Sequence, residues 1–296
     1  MPHDLSHDRP HDLSHDLSHD SRPRAGLHSG RWGRSLTQRW DLLCGLVDRE
    51  IKLLYNRSAL GIAWMLINPL MQLAVFAFVF GLILPNNSVE NYASFIFSGL
   101  LVWTWFQSSL TQATGAIVHN RSLIRQPGFP VAILPVVTVT TGLIHFLLSL
   151  PILLLFLLID GVQLNASIVL LPLLIILQFA FTISLAYVLA SINVVFRDTQ
   201  HTLGVLLQML FYLSGVFYQV NSLPEKYRAI FYLNPLVGLI ESYRYIFGKI
   251  GVEASLLAEA SLNWKLLGFM GLVTALLLPL GYQIFKRQSE RFVEEL

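Results

Sequence analysis

Long apolar windows constrain this chain more than any other feature of its sequence. A helix needs about 18 to 20 apolar residues to cross the hydrocarbon core of a bilayer, and six windows reach about that length. They are residues 61–84, 93–118, 132–159, 167–195, 203–220 and 264–285. Of the 296 residues, 54% are hydrophobic and only 13% are charged, which is too little charge for the surface of a soluble domain of this size. The pattern predicts an all-α integral membrane protein.

Basic residues are concentrated in alternate connections between these windows. Nine precede the first window and three follow the last, while Arg121 and Arg125 lie between the second and third and Arg197 between the fourth and fifth. The connections 85–92 and 160–166 contain none. The remaining five cations, Lys226, Arg228, Arg244, Lys249 and Lys265, are expected outside or near the outer surface. Because short loops rich in Lys and Arg stay on the cytoplasmic side, this distribution predicts six transmembrane helices with both termini in the cytoplasm.

The segment 229–248 is long enough to cross a membrane, but it contains Pro235, Glu241 and Arg244. A seventh span would put the basic carboxyl end outside, so we predict a re-entrant helical pair before the last span. Such broken backbone is tolerated only when it is buried in protein or lines a water-filled path. Asn234 can satisfy groups that the break frees, and Glu241 and Arg244, three residues apart, are expected to pair. These four residues form a predicted outer gate, with a purely structural ion pair as the alternative.

The amino-terminal region divides into two parts. Residues 36–58 place Leu43, Val47 and Ile51 at helical spacing among charged residues, which predicts an amphipathic helix in the cytoplasmic membrane interface. A cytoplasmic helix packed on the protein's own loops is the alternative. Residues 1–35 repeat a His-Asp-Leu-Ser unit with little apolar material, which predicts a disordered low-complexity tail, or else a tail that buffers metal ions.

The sequence offers no recognisable catalytic motif. It contains no phosphate-binding P-loop, no H-E-x-x-H, no G-x-S-x-G and only one cysteine, Cys44. The six windows hold no acidic residue, which disfavours an ion-coupled carrier. We therefore assign no catalytic residue, no metal ligand and no cofactor to this chain, and we expect another subunit to supply the energy for transport.

Four stretches of the sequence resemble the ABC-2 type exporter permeases, in the branch that exports lipid-linked polysaccharides such as O-antigen, capsule and teichoic acid. They are REIKLLYNRSALGIAWMLINPL at 49–70, LIRQPGFPVAILP at 123–135, NVVFRDTQHTLGVLLQMLFYLSGVFY at 193–218 and LNPLVGLIESYR at 233–244. They occur in the family's order and spacing from about residue 36 onward. The resemblance implies an ABC-2 type transmembrane domain over 59–296.

In that family, the loop after the second span forms a short coupling helix that docks on a separate ATPase subunit, where ATP and Mg²⁺ bind. Leu123, Ile124 and Phe129 are expected to present an apolar knob there, and a loop that only fixes topology is the alternative. The resemblance assigns ATPase coupling to Arg121, Leu123, Ile124, Arg125, Phe129, Pro130, Arg197 and Asp198.

The resemblance also implies two copies of this chain and two ATPase subunits in a bacterial inner membrane, with the conduit between the copies and no nucleic-acid partner. Aromatic rings suit a path for sugars, because the C–H faces of sugars pack on them. We expect Phe76, Phe80, Phe211, Tyr212, Phe217 and Tyr218 to line the channel. Ordinary lipid-facing or interfacial positions are the alternative for each of them.

Two other functions remain open at this stage. One is an ABC-2 permease that exports a small hydrophobic compound, although the short connection 85–92 favours the polysaccharide branch. The other is a membrane-embedded enzyme that modifies glycans or lipids, which would need paired acid and base groups near the membrane surface.

Overall fold

The computed structural model describes residues 36–55, 63–79, 83, 91–164, 166–251 and 262–292. Every regular element among them is helical. In chain order the α-helices are α1 (Leu36–Tyr55), α2 (Trp64–Phe78), α3 (Tyr92–His119), α4 (Arg121–Ile124), α5 (Ile133–Ile159), α6 (Leu171–Val195), α7 (Thr199–Tyr212), α8 (Glu225–Tyr232), α9 (Pro235–Ile246) and α10 (Trp264–Ser289). Short 3₁₀ helices occupy Ala166–Leu170 and Val220–Ser222. The all-α class is confirmed, while the predicted tail, 1–35, lies outside the described residues.

Three helices in the described part of the chain are long and apolar enough to cross a membrane: Ile133–Ile159, Ala166–Val195 and Trp264–Ser289. They coincide with the third, fourth and sixth predicted windows. In α5, only 33% of the most apolar stretch is buried inside the protein, so most of its surface is left for lipid or for another chain. These three segments make the chain a membrane protein.

The central helix of the bundle is α3, which packs against α2, α5, α6, α7 and α9. It has 28 residues but carries nine Ser, Thr and Gln residues, of which Ser94, Ser98, Ser109 and Thr114 are buried. The hydroxyls of Thr111 and Thr114 donate to carbonyls of their own helix, those of Gln107 and Leu110, at 2.9 and 2.7 Å. Gln178 of α6 donates to the carbonyl of Val102 at 2.9 Å. The core of the bundle is therefore apolar with polar groups inside it, and some of these, such as the Ser109 hydroxyl and Oε1 of Gln178, have no hydrogen-bond partner.

Contacts between helix termini define one end of the bundle, which we call the basic end. It holds the end of α3, α4, the start of α5, the end of α6 and the end of α10. Tyr187 of α6 donates to the carbonyl of Ala132 at 3.1 Å, and its ring lies 5.1 Å from that of Phe285 in α10. The start of α7 is here too, because Gln200 approaches Gly115 near the end of α3.

The opposite end, which we call the Arg244 end, holds the start of α3, the end of α5, α8, α9 and the start of α10. Tyr92 at the start of α3 donates to the carbonyl of Phe217 at 2.7 Å, which brings the turn after α7 to this end. Gly238 of α9 faces Leu266 of α10 closely, so α10 starts here as well. The helices thus run from one end to the other in alternation.

Helix α1 packs on α5, with Leu46 and Val47 buried and Leu43 and Ile51 half-buried. Its other side is charged and exposed, and it includes an ion pair of 2.5 Å between Lys52 and Asp48. One side of α1 is thus buried on α5 and another is exposed, and its place in a membrane interface stays a prediction.

The fifth predicted window, 203–220, is not one helix. Helix α7 ends at Tyr212 after only 14 residues, and a turn follows in which Gly215 has φ 72°. Glycine reaches that left-handed region without steric cost, so it favours the end of the helix here. The chain then continues into α8 and α9, and the predicted break between them lies at Asn234 and Pro235.

Candidate functional site

The connection after α3 forms a compact series of hydrogen-bonded turns at the basic end. α4 is a single helical turn, Arg121–Ile124, as expected for a short coupling helix. Backbone bonds from Gln126 to Leu123 and from Phe129 to Gln126 continue the turns toward α5. The connection is thus a series of hydrogen-bonded turns rather than an open loop.

The prediction that Leu123, Ile124 and Phe129 present an apolar surface on this connection is wrong. Ile124 and Phe129 are only 4% and 8% exposed, because both pack into the hydrophobic core, and Leu123 is half-buried. The residues exposed on this connection are polar residues, a proline and a glycine. Its exposed residues are Ser122, Arg125, Gln126, Pro127 and Gly128, with Arg121 and Pro130 half-buried.

The turn between α6 and α7 contributes a second exposed surface to the same end. Arg197 and Asp198 are both exposed there, as their assignment to an ATPase contact requires. Phe196 beside them is 66% exposed, and the sequence analysis missed it. The sequence feature that could have indicated Phe196 is its position directly after an apolar window and before an Arg-Asp pair. An aromatic flanked by charges is a stronger candidate contact than the buried Phe129.

An aromatic cluster links α3 to α7 and the turn that follows. The ring of Phe211 lies 5.4 Å from that of Trp103, 5.6 Å from Tyr212 and 5.0 Å from Phe217. Trp103 is fully buried, Phe211 and Phe217 are half-buried, and Tyr212 is 58% exposed. The cluster therefore rests on the core and presents Tyr212 to the outside.

The other predicted channel residues fall in different places. Tyr218 is half-buried, and its ring meets that of Phe231 in α8 edge-on at 5.9 Å, so this pair belongs to the Arg244 end. Phe80 and the side chain of Phe76 lie outside the described residues. Four of the six predicted residues thus border α7 and the turn after it.

At the opposite end, Arg244 is 4% exposed and donates four hydrogen bonds to backbone carbonyls. Its Nε and Nη2 lie 3.2 and 3.1 Å from the carbonyl oxygen of Phe95. Nη1 is 2.9 Å from the carbonyl of Gly215, and Nη2 is 2.7 Å from that of Val216. The guanidinium also lies 3.4 Å from the centroid of the Phe95 ring, a cation–π contact. The buried charge is thus well satisfied.

The direct ion pair predicted between Glu241 and Arg244 is wrong. Glu241 is half-buried and accepts a hydrogen bond of 3.2 Å from the Tyr232 hydroxyl, and that hydroxyl also lies 2.8 Å from Oδ1 of Asn221. The spacing of three residues leaves the two side chains about 60° apart on the helix, but the donors of Arg244 go to backbone carbonyls and the carboxylate of Glu241 accepts from Tyr232. Glu241 faces α8, whereas Arg244 faces α3.

The remaining predicted gate residues, Asn234 and Pro235, form the break between α8 and α9. Oδ1 of Asn234 accepts a hydrogen bond of 3.1 Å from the backbone N–H of Leu236, which caps α9. Pro235 is the first residue of α9, where its missing N–H costs nothing. The prediction that Asn234 satisfies groups freed by the break is confirmed.

The described residues were also compared with the requirements of a metal site. In the described ranges, no three His, Cys, Asp or Glu side chains come together in a way that could hold a metal ion. The arrangement instead offers exposed turns at one end, an aromatic surface along α7, and a buried cationic contact at the other end.

Comparison with known proteins connects these features to a family. The family model of the ABC-2 type transporter matches residues 41–247, more than two thirds of the chain. The chain belongs to the ABC-2 type transporter family. The matched region contains α3 to α9, and with them both exposed turns of the basic end, the aromatic cluster and Arg244.

Within this family, the chain is similar to permeases named for polysaccharide export. The O-antigen export system permease protein RfbA of Myxococcus xanthus is 35% identical over 267 residues, covering 89% of this chain and 98% of the relative. RfbA of Klebsiella pneumoniae is 29% identical, with 87% and 95% covered. The capsule polysaccharide export inner-membrane protein CtrC of Neisseria meningitidis serogroup B is 24% identical, with 74% and 83% covered.

Proposed function

We propose that this ABC-2 chain is the permease subunit of an ATP-driven exporter that moves a lipid-linked, O-antigen-like polysaccharide out of the cytoplasm across the inner membrane. The observation that carries the proposal is the 35% identity to an O-antigen export permease over 98% of that relative's length. A likeness that extends end to end supports a shared role and not only a shared fold. The chain is a transport subunit rather than an enzyme.

In this proposal the basic end faces the cytoplasm and the chain crosses the membrane six times, with both termini inside. The positive-inside tendency supports that orientation, since exposed Arg125, Arg197, Lys286 and Arg287 lie at this end and exposed Lys226 and Lys265 at the other. The six crossings are those of α2, α3, α5 and α6, of α7 together with the turn that follows it, and of α10, and α1 lies in the cytoplasmic interface.

Helix lengths support a re-entrant pair at the outer side. Helix α7 is about 21 Å long and α9 about 18 Å, at 1.5 Å per residue, whereas the hydrocarbon core is about 30 Å thick. Neither helix spans it alone. We therefore propose that α8 and α9 fill the outer part of the membrane above the end of α7 and form the outer gate, which includes Asn234, Pro235, Glu241 and Arg244.

Energy comes from a separate ABC ATPase that binds ATP and Mg²⁺, because ABC-2 permeases work with such a subunit. We propose that it docks on the two exposed turns of the basic end, at Arg125 and around Phe196, Arg197 and Asp198. Ile124 and Phe129 support the docking surface from beneath. A hydrogen-bonded connection of this kind can transmit movement of the ATPase into α3 and α7.

We further propose that two copies of the chain and two ATPase subunits form the exporter. A bundle of this size encloses little space of its own, so a path for a polymer forms more readily between two copies. The exposed Tyr212, backed by Phe211 and Phe217, is then a wall against which sugar faces pack.

Deletion of the gene in its native cell tests the export function. We expect long-chain polysaccharide to disappear from the surface and the lipid-linked form to accumulate inside, with recovery when the wild-type chain is restored. Unchanged surface polysaccharide together with new sensitivity to hydrophobic compounds would instead identify an exporter of small molecules.

Cysteine labelling tests the orientation. In a Cys44→Ser background, Lys226→Cys in α8 and Arg287→Cys at the end of α10 are both at exposed positions. We expect an impermeant thiol reagent to label position 226 from outside and position 287 only from inside. Labelling of position 287 from outside would reject the proposed orientation.

A further inference from the structure

Arg244 is the one charged side chain in the buried class within the part of the chain that the structure describes; the other polar residues of that class are neutral. Burial of a guanidinium without acceptors is strongly unfavourable. Its acceptors lie on two distant segments, the first turn of α3 and the turn after α7. Because α9 supplies the donor, one side chain joins three segments.

Arg244 needs these carbonyls as acceptors, and the carbonyls need Arg244 as their donor. Gly215 and Val216 lie beyond the end of α7, and Arg244 supplies donors to their carbonyls. A buried carbonyl that loses its donor raises the free energy, as a buried cation that loses its acceptors does. Separating α9 from α3 leaves uncompensated groups on both surfaces, and water must then reach them. The contact therefore favours two arrangements, fully engaged or fully opened to water.

The segments that Arg244 holds belong to the two helices that carry the exposed turns of the basic end. Helix α3 runs without an internal proline from Tyr92 to His119 and leads directly into α4. Helix α7 begins immediately after Arg197 and Asp198. A displacement imposed on these turns therefore reaches the contacts of Arg244 along both helices.

We propose that Arg244 is a latch on the outer end of the conduit. While its guanidinium binds the carbonyls of Phe95, Gly215 and Val216, α9 is held against α3 and the turn after α7, and the conduit is closed. Displacement of α3 relative to α7 by the ATPase disengages it. This inference rests on the proposed function, which assigns the Arg244 end to the outer side. Arg244 is a positioning residue in this role and does not touch the polysaccharide.

Gly99 offers a second way to disturb the latch without altering any charge. A Cβ at Gly99 would lie 2.6 Å from Nη2 of Arg244, and 3.3 Å from its Cζ and from Cγ2 of Ile240. Alanine at this position therefore displaces the guanidinium. Gly142 of α5 is the matched control, because a Cβ there would crowd Oγ of Ser109 and Cδ1 of Trp105, both of α3 and farther along the helix from Arg244.

Cys44 is a built-in reporter of leakage. It is the single cysteine of the chain, and it is exposed on α1, which the proposed orientation places in the cytoplasm. The experiment uses the complete complex with its ATPase in right-side-out membrane vesicles, with a small impermeant maleimide added outside. The labelling rate of Cys44 is measured for wild type, Arg244→Met, Arg244→Lys, Gly99→Ala and Gly142→Ala, together with ATP hydrolysis.

We expect slow labelling of the wild type and of Gly142→Ala. Arg244→Met and Gly99→Ala should be labelled at least about tenfold faster, since loss of one hydrogen bond to a charged group shifts an equilibrium by about that factor. ATP hydrolysis should continue in both. Arg244→Lys should be intermediate, because one ammonium group cannot reproduce the planar fork that reaches three carbonyls.

Wild-type labelling rates in both Arg244→Met and Gly99→Ala, in assembled complexes that hydrolyse ATP, would overturn the latch. An equal acceleration in Gly142→Ala would overturn it too, because general loosening would then account for the leak. If Arg244→Met does not assemble into the complex, the labelling rate of Gly99→Ala alone tests the latch. Rapid labelling of Cys44 from outside in the wild type would reject the orientation on which the proposed function rests. This outcome is distinguishable from failure of the latch, because labelling would then be rapid in the wild type and in every variant.

Discussion

Ser94 and Asp160 are joined by a hydrogen bond of 2.5 Å between Oγ and Oδ2, although 66 residues separate them in the sequence. Ser94 is buried in the first turn of α3, and Asp160 follows the last residue of α5. The bond fixes the start of α3 to the connection that leads into α6. It therefore holds the Arg244 end together at a point that Arg244 does not reach.

Replacement of this carboxylate should lower the stability of the protein. Asp160→Ala leaves the buried Ser94 hydroxyl without its acceptor, which costs about 1–3 kcal/mol. Asp160→Asn keeps an oxygen acceptor and should cost less. Thermal unfolding of the purified protein in detergent measures both changes, and equal transition temperatures for wild type and Asp160→Ala would show that the bond contributes nothing to stability.

Phe129 should behave as a core residue. Because it is buried in its own chain, Phe129→Asp places a charge among apolar side chains, with a cost on the order of several kcal/mol. We expect little folded protein in the membrane, whereas Phe129→Leu should accumulate normally. Normal accumulation of Phe129→Asp with loss of ATPase stimulation alone would instead restore Phe129 as an exposed docking residue.

Arg197 should act on the partner and leave folding unchanged. Its side chain is exposed beside Phe196, so Arg197→Glu changes the docking surface without touching the core. We expect normal abundance, weaker association with the ATPase and reduced ATP hydrolysis by the complex. Lys286→Glu, an exposed charge reversal at the same end, is the control. Equal effects of the two changes would point to net charge rather than to a specific contact.

Tyr212 should affect the passage of the polysaccharide. It is the exposed member of the aromatic cluster, so Tyr212→Ala removes a ring from the surface while Trp103 and Phe211 keep the core packed. We expect reduced export at normal abundance, and Tyr212→Phe should export nearly as well as wild type. Met209→Ala, at another exposed position on α7, should leave export unchanged. A similar loss in both alanine variants would remove the case for an aromatic wall.

The sequence predicted the features that depend on local chemistry. The break at Asn234 and Pro235 was predictable because proline lacks an N–H and asparagine caps the helix that starts there. The helices α5, α6 and α10 were predictable because their apolar runs are long. The short helix α4 was expected from the family resemblance and not from residue spacing, whereas the spacing of Leu43, Val47 and Ile51 indicated the side of α1 that packs on α5.

The features that depend on long-range contacts were not predictable in the same way. Glu241 and Arg244 are close in sequence, but the preferred partners of Arg244 are carbonyls of residues 28 to 149 positions away. Phe129 stands among turn residues, and only the packing of the bundle determines that it points inward. The early end of α7 likewise depends on the turn that Arg244 stabilises. The assignment of these residues to coupling and gating remains a prediction.

The polar composition of α3 has a consequence for the biogenesis of the protein. The hydroxyls of Thr111 and Thr114 donate to carbonyls of α3 itself, the buried Ser109 hydroxyl has no hydrogen-bond partner, and the two tryptophans, Trp103 and Trp105, pack against Phe211 of α7 and Phe146 of α5. In lipid alone, the helix would expose these polar groups to hydrocarbon, which is unfavourable. The helices that cover it, α5 and α6, are synthesised later. We therefore expect α3 to stay at the insertion machinery until these helices emerge, so that the centre of the bundle enters the lipid together with its partners and not in the order of synthesis.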